Sequence, residues 1–238
     1  MSNMYEKITS KGETVNPVSG ECMHNCEYCY TKSLKKRSPH IRKKYTGRPW
    51  IDHNGLKRIY GSGKFFFVCS CCDLFAENVP DMVVERVLRR CREFPRNRYL
   101  FQSKNPGRFI DFIDQYPSDS VLCTTLETNR DTSEISYAPI PRNRAVEMVG
   151  LRHIAVGDKR FELWVTIEPI LDFDLEEFVN MIKRIQPDLV HVGADSKRCG
   201  LDEPSGEKVE ELLKRLRAFT VVVEKSNLSR LIGKRGEQ

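Results

Sequence analysis

The sequence predicts an α/β protein folded as a partial (β/α) barrel of about six βα units. Three observations lead there. Apolar runs of strand length alternate with helical patterns along most of the 238 residues. The runs are nearly continuous in apolar residues, as strands of a parallel sheet are when buried on both faces. Polar residues gather at the C-terminal ends of those runs, where barrels and open α/β sheets place their sites. A doubly wound sheet is the other arrangement this alternation allows.

The elements follow in order. Val15 to Val18 reads as a short first strand, followed by a cysteine-rich loop and a helix starting near Glu27. Lys64 to Cys69 is a buried strand, and Pro80 to Phe94 an amphipathic helix with proline in its first turn. Strands then fall at 98–102, 120–126, 161–167, 188–193 and 219–223, with helices at 106–115, 141–153, 174–185 and 205–217. Residues 1–226 read as one domain interrupted by a basic insert at 32–64. Residues 227–238 read as a polar, basic tail that lies over the surface or frays. Period-two alternation puts Cys123, Thr125 and Glu127 on one face of their strand, and likewise Thr166 with Glu168 and His191 with Asp195.

Composition narrows the function. No segment resembles a signal peptide and no apolar run is long enough to span a membrane, so a cytoplasmic protein is expected. Nine cysteines, an odd number in a chain of this size, favour metal binding or catalysis over a disulfide scaffold. Cys22, Cys26 and Cys29 stand out, spaced by three residues and then two. Three thiolates so spaced can hold an iron–sulfur cluster and leave one iron open, whereas a Cys₄ set would fill every position. The competing readings are a zinc site completed by His24, which would strain inside its three-residue gap, and three buried structural thiols.

The run Cys-x₃-Cys-x₂-Cys after the first strand, with Tyr28 just before the last cysteine, resembles the radical SAM superfamily. Val15 to Gly20, Ser70 to Phe75, Phe101 to Pro106, Leu122 to Glu127 and Thr166 to Pro169 resemble one branch of it. That branch is the short phage-associated radical SAM proteins related to the spore photoproduct lyase group. The resemblance implies a [4Fe–4S] cluster on Cys22, Cys26 and Cys29, with S-adenosylmethionine (SAM) on the open iron and cleaved to a 5′-deoxyadenosyl radical. It further implies Tyr28 near the adenine. The Gly-Gly-Glu segment common in the superfamily is replaced here by Ser70-Cys-Cys-Asp73, so Ser70, Cys72 and Asp73 are the expected holders of the methionine amine. Ser103 and Lys104 would bind the carboxylate, and Glu127 or Glu168 the ribose hydroxyls. A flavodoxin- or ferredoxin-like electron donor is implied as a partner.

Cys71 and Cys72 lie close to where the radical would form, and a hydrogen-donor thiol is one reading of them. A second cluster with Cys69, Cys123 or Cys199 is another, and ordinary core packing, with Cys91 on a helix face, is the third. The net charge of +6 is concentrated, because residues 32–64 hold eleven cations against Asp52 alone. Lys35, Lys36, Arg37, Arg42, Lys43 and Lys44 can neutralise phosphates, and Trp50, with Tyr45 and Tyr60, can stack on bases. A DNA, RNA or nucleotide substrate fits this segment, and so does a solvated lid. The surviving functions are radical modification or repair of nucleic acid, radical chemistry on a small metabolite or peptide, and a zinc-stabilised nucleic-acid-binding module.

Overall fold

The computed structural model describes residues 12–156 and 159–233. Seven parallel strands form the main sheet: β1 Gly12–Val15, β4 Phe65–Val68, β5 Arg98–Ser103, β6 Ser120–Thr125, β9 Glu162–Ile167, β10 Leu189–Val192 and β11 Val221–Glu224. They stand side by side in chain order and curl into a half-barrel. Two antiparallel ribbons sit apart from it, β2 Val18–Ser19 with β3 Trp50–Ile51 and β7 Ala155–Val156 with β8 Lys159–Arg160. The helices are α1 Tyr30–Arg37, α2 Pro39–Lys44, α3 His53–Lys57, α4 Asp81–Arg92, α5 Pro141–Arg152, α6 Leu175–Ile185, α7 Gly206–Arg217 and α8 Ser229–Ile232. Six strand-to-strand crossovers end on a seventh strand, as the alternating pattern predicts.

The two faces of the sheet differ. Phe66, Val68, Tyr99, Phe101, Leu122, Leu163 and Val165 point outward and pack with the stripes of α4 to α7 in the larger core. The inner face starts apolar, with Phe65, Phe67, Leu100, Val121, Cys123 and Trp164 in one cluster. It turns polar toward the strand C-termini, where Thr125, Thr166 and His191 are register partners. Next come the rim residues Lys104, Glu127 and Glu168, just beyond β5, β6 and β9. The half-barrel therefore has a greasy floor and a polar mouth.

Several boundaries shift from the sequence expectation. The first strand is β1 at Gly12–Val15 rather than Val15 to Val18. Pro17 has no N–H to offer, and Val18 instead pairs antiparallel with Ile51. The first helix begins at Tyr30 rather than near Glu27, because Glu27 donates its N–H to Ile135 O in another loop. Residues 106–112 form a 3₁₀ helix where an α-helix to 115 is expected. The last strand starts at Val221, since Phe219 and Thr220 still bond back to Leu216 O. The tail also differs. Leu228 is buried, Asn227 donates to Glu168 Oε1 (3.1 Å) and Ala194 O (2.8 Å), and Arg230 bonds Glu203. Residues 227–232 are thus part of the domain, and 234–238 lie outside the described residues.

Candidate cofactor site

The cysteine loop runs from Gly20 to Cys29 between β2 and α1. Its backbone is tied to two other segments, the insert and residues 135–137. Gly20 N–H reaches Lys44 O and Glu21 N–H reaches Gly47 O, both at 2.8 Å, while Tyr137 N–H donates to His24 O at 2.7 Å. Gly20 stands at φ +96°, and a Cβ there would meet Arg48 O and Pro49 at 2.5 Å, so only glycine admits the insert this close. Asn25 takes φ +46°, a left-handed turn that asparagine tolerates.

All three cysteines are free thiols. Cys26 is buried with Sγ 3.1 Å from Ser136 Oγ, and Cys22 and Cys29 are half-buried. Burial, with Asp73 nearby, pushes the Cys22 thiol up to about 12. Among the described residues, no three His, Cys, Asp or Glu side chains converge as the ligands of a single ion do. The thiolates of a cubane cluster each bind a different iron and need no common focus. One tightly anchored loop presenting three thiols, with the buried His24 Nδ1 among them unpartnered by any described residue, fits a three-thiolate cluster. Cys22, Cys26 and Cys29 would hold it.

From this loop one polar network crosses the mouth. His24 Nε2 lies 2.8 Å from Asp73 Oδ2. The same oxygen accepts from Ser103 Oγ at 3.0 Å and Lys104 N–H at 2.8 Å, and Oδ1 accepts from Phe75 N–H at 2.9 Å. Burial works to raise the Asp73 pKa, but His24, then Lys104 and Ser103, hold it below the usual range. Lys104 bonds the Glu127 carboxylate and the Tyr28 hydroxyl, and its ammonium lies 4.4 Å from the centre of the Tyr28 ring. Tyr28 in turn donates to Glu127. Behind them Arg144, fully buried, places Nη2 2.9 Å from Glu127 Oε2 and donates to Thr125 O and Pro139 O. Burial opposes ionisation of Glu127, yet Arg144 first and Lys104 second hold its pKa far below normal.

The network joins Tyr28, Asp73, Ser103, Lys104 and Glu127 beside the cysteines, but it also uses up several expected ligands. The Asp73 carboxylate already has four donors and reads as a hub. Glu127, an expected ribose acceptor, is completely buried and occupied by Tyr28, Lys104 and Arg144. Ser103 Oγ is committed to Asp73 and to Asn105 N–H. Ser70 bonds Asn16, which also accepts from Cys71 N–H at 3.1 Å. Glu168 stands apart, holding Lys225 and Asn227.

The other cysteines are dispersed. Cys71 lies 3.3 Å from the Tyr30 hydroxyl, and Cys72 is buried, with Cys22 adding to burial in raising its thiol. Cys69 and Cys91 are in the outer core, Cys123 is in the floor and Cys199 is on an exposed loop. In the basic insert, Lys35 pairs with Glu21, Lys44 with Asp52, and Arg42 bonds Lys35 O. Lys36, Arg37 and Lys43 are exposed, as is Trp50. Tyr45 and Tyr60 are buried in the core, so they are not base-stacking surfaces as the sequence suggested. A cleft of about 640 Å³ opens between insert and cysteine loop, lined by Met23, Arg48, Pro49 and Glu77 among others.

Sequence reasoning missed Arg144 and Asn16, and weighed His24 only as a zinc ligand. Arg144 did leave a signal. It shares the apolar stripe of α5 with Ala145, Met148 and Leu151, where a lone cation needs an internal partner.

The half-barrel is the fold of solved radical SAM enzymes. Spore photoproduct lyase complexed with dinucleoside spore photoproduct superposes with TM-score 0.61 at 10% identity, covering 89% of this chain and 76% of that one. A mutant of that enzyme with bound AdoMet and the dinucleoside gives 0.57 at 11% identity, over 90% and 77%. SuiB of Streptococcus suis bound to S-adenosylmethionine gives 0.57 at 9%, over 95% of this chain and 53% of SuiB. Both are radical SAM enzymes, and at these identities the likeness establishes the fold. The chain belongs to the family described as protein of unknown function DUF5131, whose model matches residues 5–149. A comparison with curated proteins found no match.

Proposed function

We propose that this protein is a radical SAM enzyme acting on nucleic acid or a nucleotide. The observation that carries the reading is the cysteine loop at the mouth of the half-barrel, joined to Lys104 and Tyr28 through the Asp73 network. Cys22, Cys26 and Cys29 would hold a [4Fe–4S] cluster, which would supply one-electron chemistry for the reductive cleavage of SAM. The chain's own task is to orient and enclose. With SAM bound, the Tyr28 ring would pack near the adenine, Lys104 would offer charge to the methionine carboxylate, and the apolar floor would keep water from the reacting carbon. Cys71 and Cys72 are candidate hydrogen donors. Lys36, Arg37, Lys43 and Trp50 supply the phosphate and base contacts. The electron comes from a flavodoxin- or ferredoxin-like donor in the cytoplasm.

A peptide substrate is the second reading. It is favoured by the burial of Tyr45 and Tyr60, which leaves Trp50 as the exposed aromatic ring of the three, and by the fold shared with SuiB, solved bound to its precursor peptide SuiA. The decisive assay is anaerobic, with reconstituted, reduced protein, SAM and a deuterated oligonucleotide. Deuterated 5′-deoxyadenosine is the expected product. An intact cluster that yields no 5′-deoxyadenosine with any substrate class would reject the radical reading.

A further inference from the structure

Glu127, Arg144 and Lys104 form a buried triad of one carboxylate and two cations. Glu127 and Arg144 have no exposed side-chain surface, and Lys104 keeps 15% of its own. Arg144 and Lys104 have no other described carboxylate in an ion pair, and Asp73 meets Lys104 at its backbone N–H rather than its ammonium. The triad therefore carries one positive charge in excess, and that charge reaches the surface only through Lys104. An uncompensated buried charge is unfavourable and calls for an anion. Lys104 also has the donor for one. An ammonium has three N–H bonds, and among the described residues two are taken, by Glu127 and Tyr28.

We infer that Arg144 is a positioning residue for SAM: by neutralising Glu127 from behind, it leaves the charge of Lys104 for the methionine carboxylate. This rests on the reading of Lys104 given above. Arg144 itself is sealed from the mouth and would touch no ligand. Its position explains why a single Lys104–Glu127 pair would not suffice. With only Lys104 beside it, Glu127 would form a closed one-to-one pair, and an incoming carboxylate would have to compete with a buried carboxylate for the same ammonium. With Arg144 present, Glu127 is already countered and serves to aim Lys104, while the Tyr28 ring supports the ammonium from its face.

The test compares SAM with decarboxylated SAM, which lacks only the carboxylate. Calorimetric Kd values are measured anaerobically on reconstituted, oxidised protein, with iron content and Tm as controls. The ratio of the two Kd values reports the carboxylate contact. In the wild type, SAM should bind about tenfold tighter or more, as expected for a charge-assisted bond. Lys104→Met should lower the ratio severalfold, to the part that a bond of the carboxylate to the open iron contributes. Arg144→Met should lower it toward the K104M value although Lys104 is present, and the double change E127Q/R144M should restore it, because Lys104 is then released from Glu127. Glu127→Gln alone should raise the ratio, and it carries the test if R144M does not fold. A merely structural role for Arg144 would lower Tm and both affinities alike, leave the ratio unchanged, and overturn the inference. So would an unrestored ratio in the double variant, or an unchanged or lowered one in E127Q. A wild-type ratio near one, or no loss in K104M, would instead remove Lys104 as the carboxylate's partner.

Discussion

At the scale of single residues, the three cysteines are legible because their message is local. Spacing alone puts their thiols on one loop, whatever the rest of the chain does. The network around Asp73 is a different matter. Its partners, His24, Ser103 and the Lys104 N–H, are 49, 30 and 31 positions away, and only the strand order brings them to one carboxylate. Asp73→Asn keeps the shape but turns an acceptor into a donor facing donors. We expect a loss of about 2–4 kcal/mol in urea unfolding, since the buried donors are left uncompensated. A loss below about 0.5 kcal/mol would mean that Asp73 is not the hub. His191 gives a pH signature. Burial first, with the charge of Lys225 second, lowers its pKa from 6.5 to about 3. The unfolded chain takes up a proton below 6.5 that the native state refuses until about 3. Stability therefore falls as the pH is lowered through that window, by up to about 1.4 kcal/mol per unit. Between pH 7 and pH 5 the His191→Asn variant should lose about 2 kcal/mol less than wild type. Parallel pH dependences in the two proteins would show that His191 does not titrate on unfolding.

At the scale of elements, the alternation of strands and helices was readable because parallel strands covered on both sides must be apolar nearly throughout. The boundaries were not, because they depend on partners. Pro17 ends β1 only because Val18 finds Ile51, a segment 33 positions on. The basic insert shows the same limit. Its composition is plain, but composition does not say which cations are spent internally. Lys35, Lys44 and Arg42 are held by the protein, whereas Lys36, Arg37 and Lys43 on α1 and α2 face solvent. If this face meets phosphates, replacing those three by Ala should reduce the slope of log K against log salt by about 2–3, at about 0.7–0.9 per phosphate. The fold should be unaffected, since exposed side chains are being shortened. Trp50→Ala should weaken single-stranded binding by about 1–3 kcal/mol with the slope unchanged. An unaltered slope in the triple variant would move the nucleic-acid contact elsewhere or remove it.

At the scale of the whole molecule, the half-barrel leaves a mouth whose two sides are built from distant parts of the chain. The cysteine loop and the insert form one side. The other is completed by the segment after β11, which the sequence offered as a loose tail. Its polarity suggested that, but a short amphipathic turn can bury one residue and bond with the rest. Leu228 is fully buried, Asn227 holds Glu168 and Ala194 O, and Arg230 grips Glu203 and the Asp195 carbonyl. Gly193 lets this happen, since a Cβ there would lie 2.9 Å from Lys225 Cδ and 3.1 Å from Glu168 Cδ. The segment thus fixes the rim at β9 and β10, beside the end of β6 that leads to Glu127. Leu228→Ala should cost about 2–4 kcal/mol, as a buried leucine that leaves a cavity does. Arg230→Ala should cost less, about 0.5–1.5 kcal/mol, because its partners are partly solvated. The two should add to within about 0.5 kcal/mol only if each acts on its own. A larger combined loss in denaturant unfolding would mean that the segment docks as one unit, holding the Glu168 side of the mouth in place. Losses under about 0.5 kcal/mol in both variants would return residues 227–232 to the status of a surface tail.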